Sequence, residues 1–199
     1  MSYNFNTNIE DLTFVVSDIE TSGMSRWNNT IVEIAAVTIE PPLNLNPHNV
    51  FNSLVNPRGE ITPDVTAIHG ITDGMVADAP GIEAVIAEYT EFVDGKVLVF
   101  HNAAFDFNII SKVWRTLKMR PHVYVLDTLK LSRKLNRGLE HHKLDDLIYL
   151  YGLEPLRSGS YRHRALYDSD MTAAALMHML KQLEDMGIFT FGDLFDFHG

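Results

Sequence analysis

Strand-like runs of β-branched and other apolar residues come first in the chain, and strand and helix patterns alternate after them. The predicted strands cover about 13–18, 31–39, 50–55, 97–100 and 123–126. Helical spacing follows over 81–93, 104–117, 128–135, 143–151 and 167–186, and a short helix begins near Pro63. Successive strands favour a meander, and the wholly apolar run 97–100 is typical of a parallel strand buried on both faces. We therefore predict one α/β domain with a mixed five-stranded sheet flanked by helices.

The two ends of the chain lack a clear pattern of this kind. We predict a mobile N-terminal segment at residues 1–10, the domain itself at residues 11–186, and a C-terminal tail without a helix at residues 187–199. Residues 156–161 contain one glycine and two serines, so this stretch is also predicted to be mobile.

Composition excludes several kinds of site and location. The 199-residue chain has no cysteine, which excludes disulfides, thiol catalysis and zinc–thiolate sites. No apolar run approaches the roughly 20 residues that span a bilayer. The N-terminus carries no pattern of a secretory signal. We therefore expect a cytoplasmic protein that does not bind membranes.

Charge is distributed unevenly, although the net value at pH 7 is −10. Residues 1–95 carry two basic residues against fourteen acidic ones, whereas residues 112–164 carry twelve basic against five acidic. Basic clusters can form a track for a phosphate backbone, and each can equally be the solvated surface of a helix. The distribution permits a phosphate track but argues against tight, extended binding of duplex nucleic acid.

Four acidic residues stand where a globular protein normally has apolar or neutral residues. Asp18 and Glu20 follow the apolar run of the first predicted strand, while Asp106 lies between two phenylalanines. Asp168 opens the last long predicted helix. Buried carboxylates are costly unless they are paired or bind a metal ion. Since the chain has only 16 Lys and Arg residues against 26 Asp and Glu residues, divalent cations are the predicted partners.

The predicted chemistry is in-line displacement at phosphorus, which suits two hard cations roughly 3.5–4 Å apart with oxygen ligands. The acidic segments can converge at the carboxyl ends of the strands, where ligands gather in such sheets. Asp18 and Glu20, two residues apart at a strand end, can both reach the site if the backbone leaves the regular pleat there. His163, five residues before Asp168, can accept a proton from a bound water, since histidines ordinarily titrate near neutrality.

Singly, each motif is weak, because a lone aspartate in a turn is more often a cap or loop former than a ligand. Together they resemble the three motifs of the DEDDh 3′→5′ exonucleases. The matching segments are Asp18-Ile-Glu20-Thr-Ser-Gly, His101-Asn-Ala-Ala-Phe-Asp106 and His163-Arg-Ala-Leu-Tyr-Asp168. The tyrosine subclass would have a tyrosine four residues before the last aspartate, where this chain has Arg164. The resemblance covers about residues 12–184 and implies a ribonuclease H-like fold.

The resemblance also implies two Mg²⁺ or Mn²⁺ ions and a role for each acidic residue. Asp18 would bridge both ions, while Glu20 and Asp168 would bind the ion that carries the nucleophilic water. Asp106 would serve the second ion, partly through water. His163 would accept the proton.

A pocket for the 3′-terminal nucleotide is a further implication of the resemblance. The backbone of residues 21–23 would hold the nucleotide, an apolar side chain after the first motif would stack on the base, and the remaining residues would wedge against or line it. The residues concerned are Thr21, Ser22, Gly23, Met24, Ile68, His69, Asn102 and Phe105.

The implied activity is release of nucleoside 5′-monophosphates from 3′ ends of mainly single-stranded DNA, as in proofreading or repair. Two alternatives stay open, an RNA-trimming exoribonuclease of the same superfamily and a non-catalytic nucleic-acid-binding subunit. The latter would not need His163. A DNA polymerase is one candidate partner. A sliding clamp is another, because Gly192-Asp193-Leu194-Phe195 faintly resembles the motif that binds clamps, although the leading glutamine is missing.

Overall fold

Five of the apolar runs form the strands of one sheet in the computed structural model, which describes residues 3–24, 29–155 and 162–199. The predicted mobile stretch at 156–161 lies outside these residues. The strands are β1 (Phe14–Thr21), β2 (Ile31–Glu40), β3 (Asn44–Leu54), β4 (Val97–Phe100) and β5 (Tyr124–Asp127). The helices are α1 (Pro63–His69), α2 (Asp73–Val76), α3 (Ile82–Val93), α4 (Ala103–Thr116), α5 (Thr128–Leu135), α6 (Leu144–Tyr151), α7 (Ala165–Asp185) and α8 (Phe191–His198). In the described part of the chain, no helix has the length and apolar character needed to cross a membrane.

The sheet is mixed, as predicted, with the strand order β3-β2-β1-β4-β5. β1, β2 and β3 pair antiparallel, whereas β4 pairs in parallel with both β1 and β5. Because β1 and β4 are parallel neighbours, their carboxyl ends lie at the same edge of the sheet. The carboxyl-terminal half of β1 carries the first acidic motif, and the segment that follows β4 carries the second.

Apolar side chains form a separate buried cluster on each face of the sheet. On one face, α7 packs over β1 and β2, with Leu176 and Met179 in the same cluster as Val16. On the other face, α3 and α4 contribute Tyr89 and Trp114. The sheet is therefore covered on both sides, as the continuous apolar sequence of β4 indicates.

β1 is longer than the sequence pattern predicts and carries both of its acidic residues within the strand. Its pairing with β2 is regular from Phe14 to Glu20, and the register shifts only between Glu20 and Thr21. Residues two apart in a strand point to the same face, so Asp18 and Glu20 both point to the face that α7 covers. The two acids therefore reach the site from a regular strand, and the expected departure from the pleat is wrong.

A helix at the C-terminus, α8, is absent from the sequence prediction. It begins with a capping box in which the Thr190 side chain accepts from the Asp193 N–H and the Asp193 carboxylate accepts from the Thr190 N–H. The Thr-x-x-Asp signal of this box is readable in the sequence. Residues 187–199 are therefore not a tail without a helix.

The segment that resembles a clamp-binding motif lies within α8 and faces the core. Leu194 is fully buried, and the Phe195 ring packs against the rings of Tyr124 and Phe191, with centroids 6.2 and 4.6 Å away. A clamp-binding motif must present its apolar residues to the partner. The structure therefore argues against a clamp contact through this segment.

Residues 3–10 pack against the connection between α7 and α8. The Ile9 N–H donates to the Phe189 carbonyl, and the Phe191 N–H donates to the Thr7 carbonyl, both at 2.8 Å. The Ile9 side chain is buried. These contacts give residues 3–10 a defined place against the fold, while the mobility of the segment stays a prediction. The limits of the domain at 11 and 186 stay a prediction.

Candidate active site

Three of the predicted metal ligands meet near the carboxyl end of β1. Asp18 and Glu20 project from β1 toward α7, and Asp168 lies in the first turn of α7. One ligand atom from each of these residues lies within 4.8 Å of the others, and all three residues are half-buried. Carboxylates this close, with part of each still accessible, can hold a hard divalent cation through oxygen.

Asp106 approaches the same stretch of β1 from α4, beyond the point where the pairing of β1 with β4 ends. It lies in the first turn of α4 and is only 5% exposed. Its Oδ1 accepts a hydrogen bond from the Ile19 N–H at 3.3 Å. Because Ile19 lies between Asp18 and Glu20, this bond ties the start of α4 to the site. The group of three converging carboxylates does not include Asp106.

Burial raises the pKa values of all four carboxyl groups, and nearby negative charges add to the increase. Burial is the largest cause, and the pKa reaches about 9 for Glu20, about 7 for Asp106 and about 6 for Asp168. Burial, followed by the negative charge of Asp106, also raises the pKa of Asp18 well above its ordinary value. In metal-free protein, several of these groups therefore retain protons that a divalent cation would displace.

The metal-free protein should lose stability as the pH rises. A carboxyl group with a higher pKa in the folded state binds more protons there than in the unfolded state, so the free energy of unfolding falls with pH between the two pKa values. For these groups the window runs from the ordinary values of 3.8 and 4.5 up to about 9. At 100 times its Kd, Mg²⁺ or Mn²⁺ should raise Tm at pH 8 by roughly 5–10 °C.

Thermal unfolding at pH 5 and pH 8, with and without the cation, measures this effect. The increase should be much smaller at pH 5, where protons compete with the cation for the carboxylates. The variant Asp18→Asn should lose most of the increase at pH 8. An equal increase at both pH values would contradict cation binding by these four groups.

His163 lies just before α7 and is exposed. Its backbone is left-handed, with a φ of 57°, which is uncommon for a residue other than glycine. Burial raises the pKa of Asp168, and the charge of His163 opposes that increase, which indicates that the two side chains are near each other. The imidazole is not one of the three converging ligands. An exposed imidazole beside metal ligands can exchange protons both with the site and with solvent.

A pocket of about 200 Å³ adjoins the cluster at Glu20. Six of the eight residues predicted to bind the nucleotide line this pocket: Thr21, Gly23, Met24, Ile68, His69 and Phe105. Met24 and Ile68 are 68% and 48% exposed, so both offer apolar surface for contact with a base. The nucleotide-binding role of these residues stays a prediction.

Ser22 and Asn102 do not line the pocket. The Ser22 N–H donates to the Thr30 carbonyl, and the Ser22 carbonyl accepts from the Thr62 N–H, both at 2.9 Å. The Ser22 N–H is therefore already bonded within the protein, and the nucleotide-binding role of Ser22 stays a prediction. Asn102 is exposed and left-handed, with a φ of 74°, and its N–H donates to Asp127 Oδ1 at 3.0 Å.

His69 is fixed by hydrogen bonds at both ring nitrogens. Its Nδ1 accepts from the Ile71 N–H at 3.0 Å, so the proton lies on Nε2, which is 3.2 Å from the Thr21 carbonyl oxygen. Burial lowers the pKa of His69. The ring is therefore a neutral, fixed wall of the pocket, and only its carbon edge is free to contact a nucleotide.

Glu33 is a buried acid beside the site that is not among the residues predicted from the sequence. It is 1% exposed in β2 and lies opposite Glu20 in the strand register. Arg164 donates to both carboxylate oxygens, from Nε to Oε2 at 3.0 Å and from Nη2 to Oε1 at 2.5 Å. The available signal is an acid inside an apolar strand, the same signal that singles out Asp18.

One exonuclease family and several DNA polymerases are similar to this chain over most of its length. A family profile described as Exonuclease matches residues 15–176. The PolC-type DNA polymerase III of Caldanaerobacter subterraneus subsp. tengcongensis is 41% identical over 175 residues, which are 88% of this chain and 12% of that protein. The PolC-type DNA polymerase III of Staphylococcus aureus (strain bovine RF122 / ET3-1) is 35% identical over 187 residues, which are 94% of this chain and 12% of that protein. The chain thus spans only 12% of the length of these two relatives.

Solved structures share the fold. Exonuclease X in complex with 5′ overhanging duplex DNA has a TM-score of 0.73 and 32% identity, and the match covers 94% of this chain and 99% of that one. The nuclease domain of 3′hExo, a DEDDh family member bound to rAMP, has a TM-score of 0.71 over 91% and 94% of the two chains. Its 14% identity makes it evidence for the fold alone. Given the profile match, these relatives and the convergent acidic residues, the chain belongs to the DEDDh exonuclease family and has its ribonuclease H-like fold.

Proposed function

We propose that this chain is a metal-dependent 3′→5′ exonuclease that releases nucleoside 5′-monophosphates from the 3′ ends of mainly single-stranded DNA. The observation that carries the proposal is the convergence of Asp18, Glu20 and Asp168 within 4.8 Å, directly beside a pocket with apolar walls. A terminal nucleotide in that pocket would place its phosphate at the carboxylates.

The donor set fits two divalent cations, Mg²⁺ or Mn²⁺. When bound, such cations supply an activated water and neutralise the charge that develops on the scissile phosphate. Glu20, Asp168 and one oxygen of Asp18 would hold the first cation. Asp18 and Asp106 would hold the second, with Asp106 acting partly through water because its Oδ1 already accepts from the Ile19 N–H.

His163 would act as the general base. As the water oxygen bonds to phosphorus, the imidazole takes the proton that the water loses, and the bond from phosphorus to the 3′ oxygen of the preceding nucleotide breaks. The 3′ oxygen then takes a proton from solvent. Because His163 is exposed, it can pass its own proton to solvent before the next cycle.

The pocket would take the last nucleotide of the strand. Met24, Ile68 and Phe105 offer apolar surface to the base, and His69 closes one wall. Stacking of this kind tolerates any base, since every base has an aromatic face. A site with these walls suits the removal of one nucleotide at a time.

The choice of DNA and a role beside a polymerase are supported by the relatives. The PolC-type relatives are DNA polymerases, and the exonuclease X structure contains duplex DNA. We infer that this chain trims 3′ ends in DNA synthesis or repair. The bound rAMP of 3′hExo keeps RNA as the second candidate substrate.

A gel assay tests the proposed function directly. A 5′-labelled single-stranded DNA oligonucleotide and its RNA equivalent are each incubated with Mg²⁺, Mn²⁺ or EDTA. The expected result is a ladder that shortens from the 3′ end of the DNA with either cation and stays intact in EDTA. Stronger cleavage of the RNA would favour the second candidate, and intact strands in every lane would contradict the proposal.

A further inference from the structure

Glu33 and Arg164 form an ion pair between two elements that flank the proposed catalytic residues. Both carboxylate oxygens of Glu33 accept from the guanidinium, and Oε2 also accepts from the Ala165 N–H at 3.0 Å. The Glu33 side chain is 1% exposed and that of Arg164 is 28% exposed. With three donors on its two oxygens, Glu33 has its hydrogen-bonding needs met by the protein, so it is poorly suited to bind a metal ion.

The pair connects the strands of the sheet to the first turn of α7. On the sheet side, Glu33 lies opposite Glu20, one of the converging ligands. On the helix side, Arg164 is the N-cap residue of α7, and its carbonyl accepts from the Asp168 N–H at 3.0 Å. The contact therefore fixes the helix that carries Asp168 relative to the strand that carries Glu20.

The same contact holds the residue that follows the proposed base. His163 has an unfavourable left-handed backbone, which persists only where the surrounding structure determines it. Immediately after it, the Arg164 side chain and the Ala165 N–H are both bonded to Glu33. The position of the imidazole thus depends on a chain segment that is fixed at its next two residues.

We propose that Glu33 and Arg164 are positioning residues, which hold the start of α7 so that Asp168 stays at the cation and His163 at the attacking water. The inference rests on the proposed function, and neither residue is assigned a contact with the substrate. A purely electrostatic role is the alternative, because Glu33 contributes to the raised pKa of Asp18 and Arg164 opposes the increase in the pKa of Glu20, smaller effects than burial in both cases.

The test uses Glu33→Gln, Arg164→Met, Arg164→Lys and the double variant Glu33→Gln/Arg164→Met. For each, kcat and KM are measured on a 5′-labelled DNA oligonucleotide well below Tm. A displacement of about 1 Å at a catalytic group costs on the order of 10²-fold in rate, so kcat should fall by about that factor while KM stays within about threefold. The kcat of the double variant should be no lower than that of either single variant, since each of the three variants breaks the same contact.

Mn²⁺ affinity, measured by electron paramagnetic resonance without substrate, gives a readout that does not depend on activity. Loss of a contact that orients a metal ligand typically weakens binding about 10–100-fold, and that range is expected for Glu33→Gln and Arg164→Met. Arg164→Lys keeps the charge but loses the two-nitrogen contact. If the pair acts by holding α7 in position, Arg164→Lys should therefore show the same decrease in kcat and Mn²⁺ affinity as Arg164→Met.

The pair between Arg58 and Glu83 provides the matched control. Arg58 also donates from two nitrogens to the two carboxylate oxygens, here from Nη1 and Nη2 at 3.1 Å each, but the two side chains are 72% and 48% exposed. Glu83→Gln should leave kcat and Mn²⁺ affinity within about twofold of the wild-type values, as expected for an exposed pair.

Three results would overturn the positioning role. The first is wild-type kcat and Mn²⁺ affinity in Glu33→Gln and Arg164→Met, the second is a decrease in Tm alone, and the third is full activity of Arg164→Lys beside an inactive Arg164→Met. If Arg164→Met does not fold, Glu33→Gln and Arg164→Lys decide the question. A wild-type protein that cleaves no oligonucleotide contradicts the proposed function instead, and Mn²⁺ affinity still tests the inference.

Discussion

Asp18→Ala is expected to abolish turnover, with a loss of more than about 10³-fold in kcat. Asp18 belongs to the group with Glu20 and Asp168, and it is also near enough to Asp106 for their negative charges to repel. Its removal should therefore weaken both proposed cation positions. Cations at such sites supply several kcal/mol of charge stabilisation in the transition state, and about 1.4 kcal/mol corresponds to tenfold in rate. Gel quantification of single-turnover rates at saturating Mg²⁺ measures the loss.

The variant should fold, which separates a chemical defect from an unfolded protein. Burial and neighbouring negative charges raise the pKa of Asp18, so its charged form is unfavourable in the metal-free protein. Without that carboxyl group, the Tm of metal-free Asp18→Ala at pH 8 should not fall below that of the wild type. Asp196→Ala, which removes an exposed acid on α8, is the control and should keep full activity. Near-normal activity in Asp18→Ala would refute the metal assignment.

His163→Asn is expected to lose on the order of 10²–10⁴ in kcat while Mn²⁺ and DNA affinity stay close to the wild-type values. The imidazole lies near Asp168 but is not one of the three converging ligands, so its loss should remove the proton acceptor and leave the cation positions intact. Asparagine suits the substitution because it tolerates the left-handed backbone of this position.

Two further variants separate the base from the backbone. His163→Gly accepts the left-handed conformation without strain, and it should be as slow as His163→Asn if the imidazole is what matters. His141→Ala removes a histidine whose side chain is 68% exposed, and it should keep full activity. If His163→Asn changes KM for DNA and leaves kcat unchanged, His163 binds the substrate and is not the base.

The sheet and the acidic cluster are largely predictable because local patterns specify them. Apolar runs mark β2 and β4, Asp18 is marked by the apolar run before it, and Asp106 is marked by the phenylalanines on either side of it. Parallel pairing of β1 and β4 then brings both acidic segments to one edge of the sheet. The prediction of a cation site follows from the burial of these acids, because a buried carboxylate needs a partner.

Partners distant in sequence are less predictable, because they depend on how elements pack. Glu33 and Arg164 are 131 residues apart, and no local signal joins them. Ser22 is a similar case. Its backbone N–H bonds to Thr30, just before β2, and its carbonyl bonds to Thr62, just before α1, and only the fold brings these residues near it. α8 is different, because its capping signal at Thr190 and Asp193 is present in the sequence.

The most direct test is anomalous diffraction from crystals soaked in Mn²⁺ together with a nucleoside 5′-monophosphate. The expected map has two peaks roughly 3.5–4 Å apart, one among Asp18, Glu20 and Asp168 and one between Asp18 and Asp106. The nucleotide should occupy the pocket lined by Met24 and Phe105, with its phosphate at the peaks. Strong Mn²⁺ peaks elsewhere and none at these four carboxylates would contradict the assignment of the site.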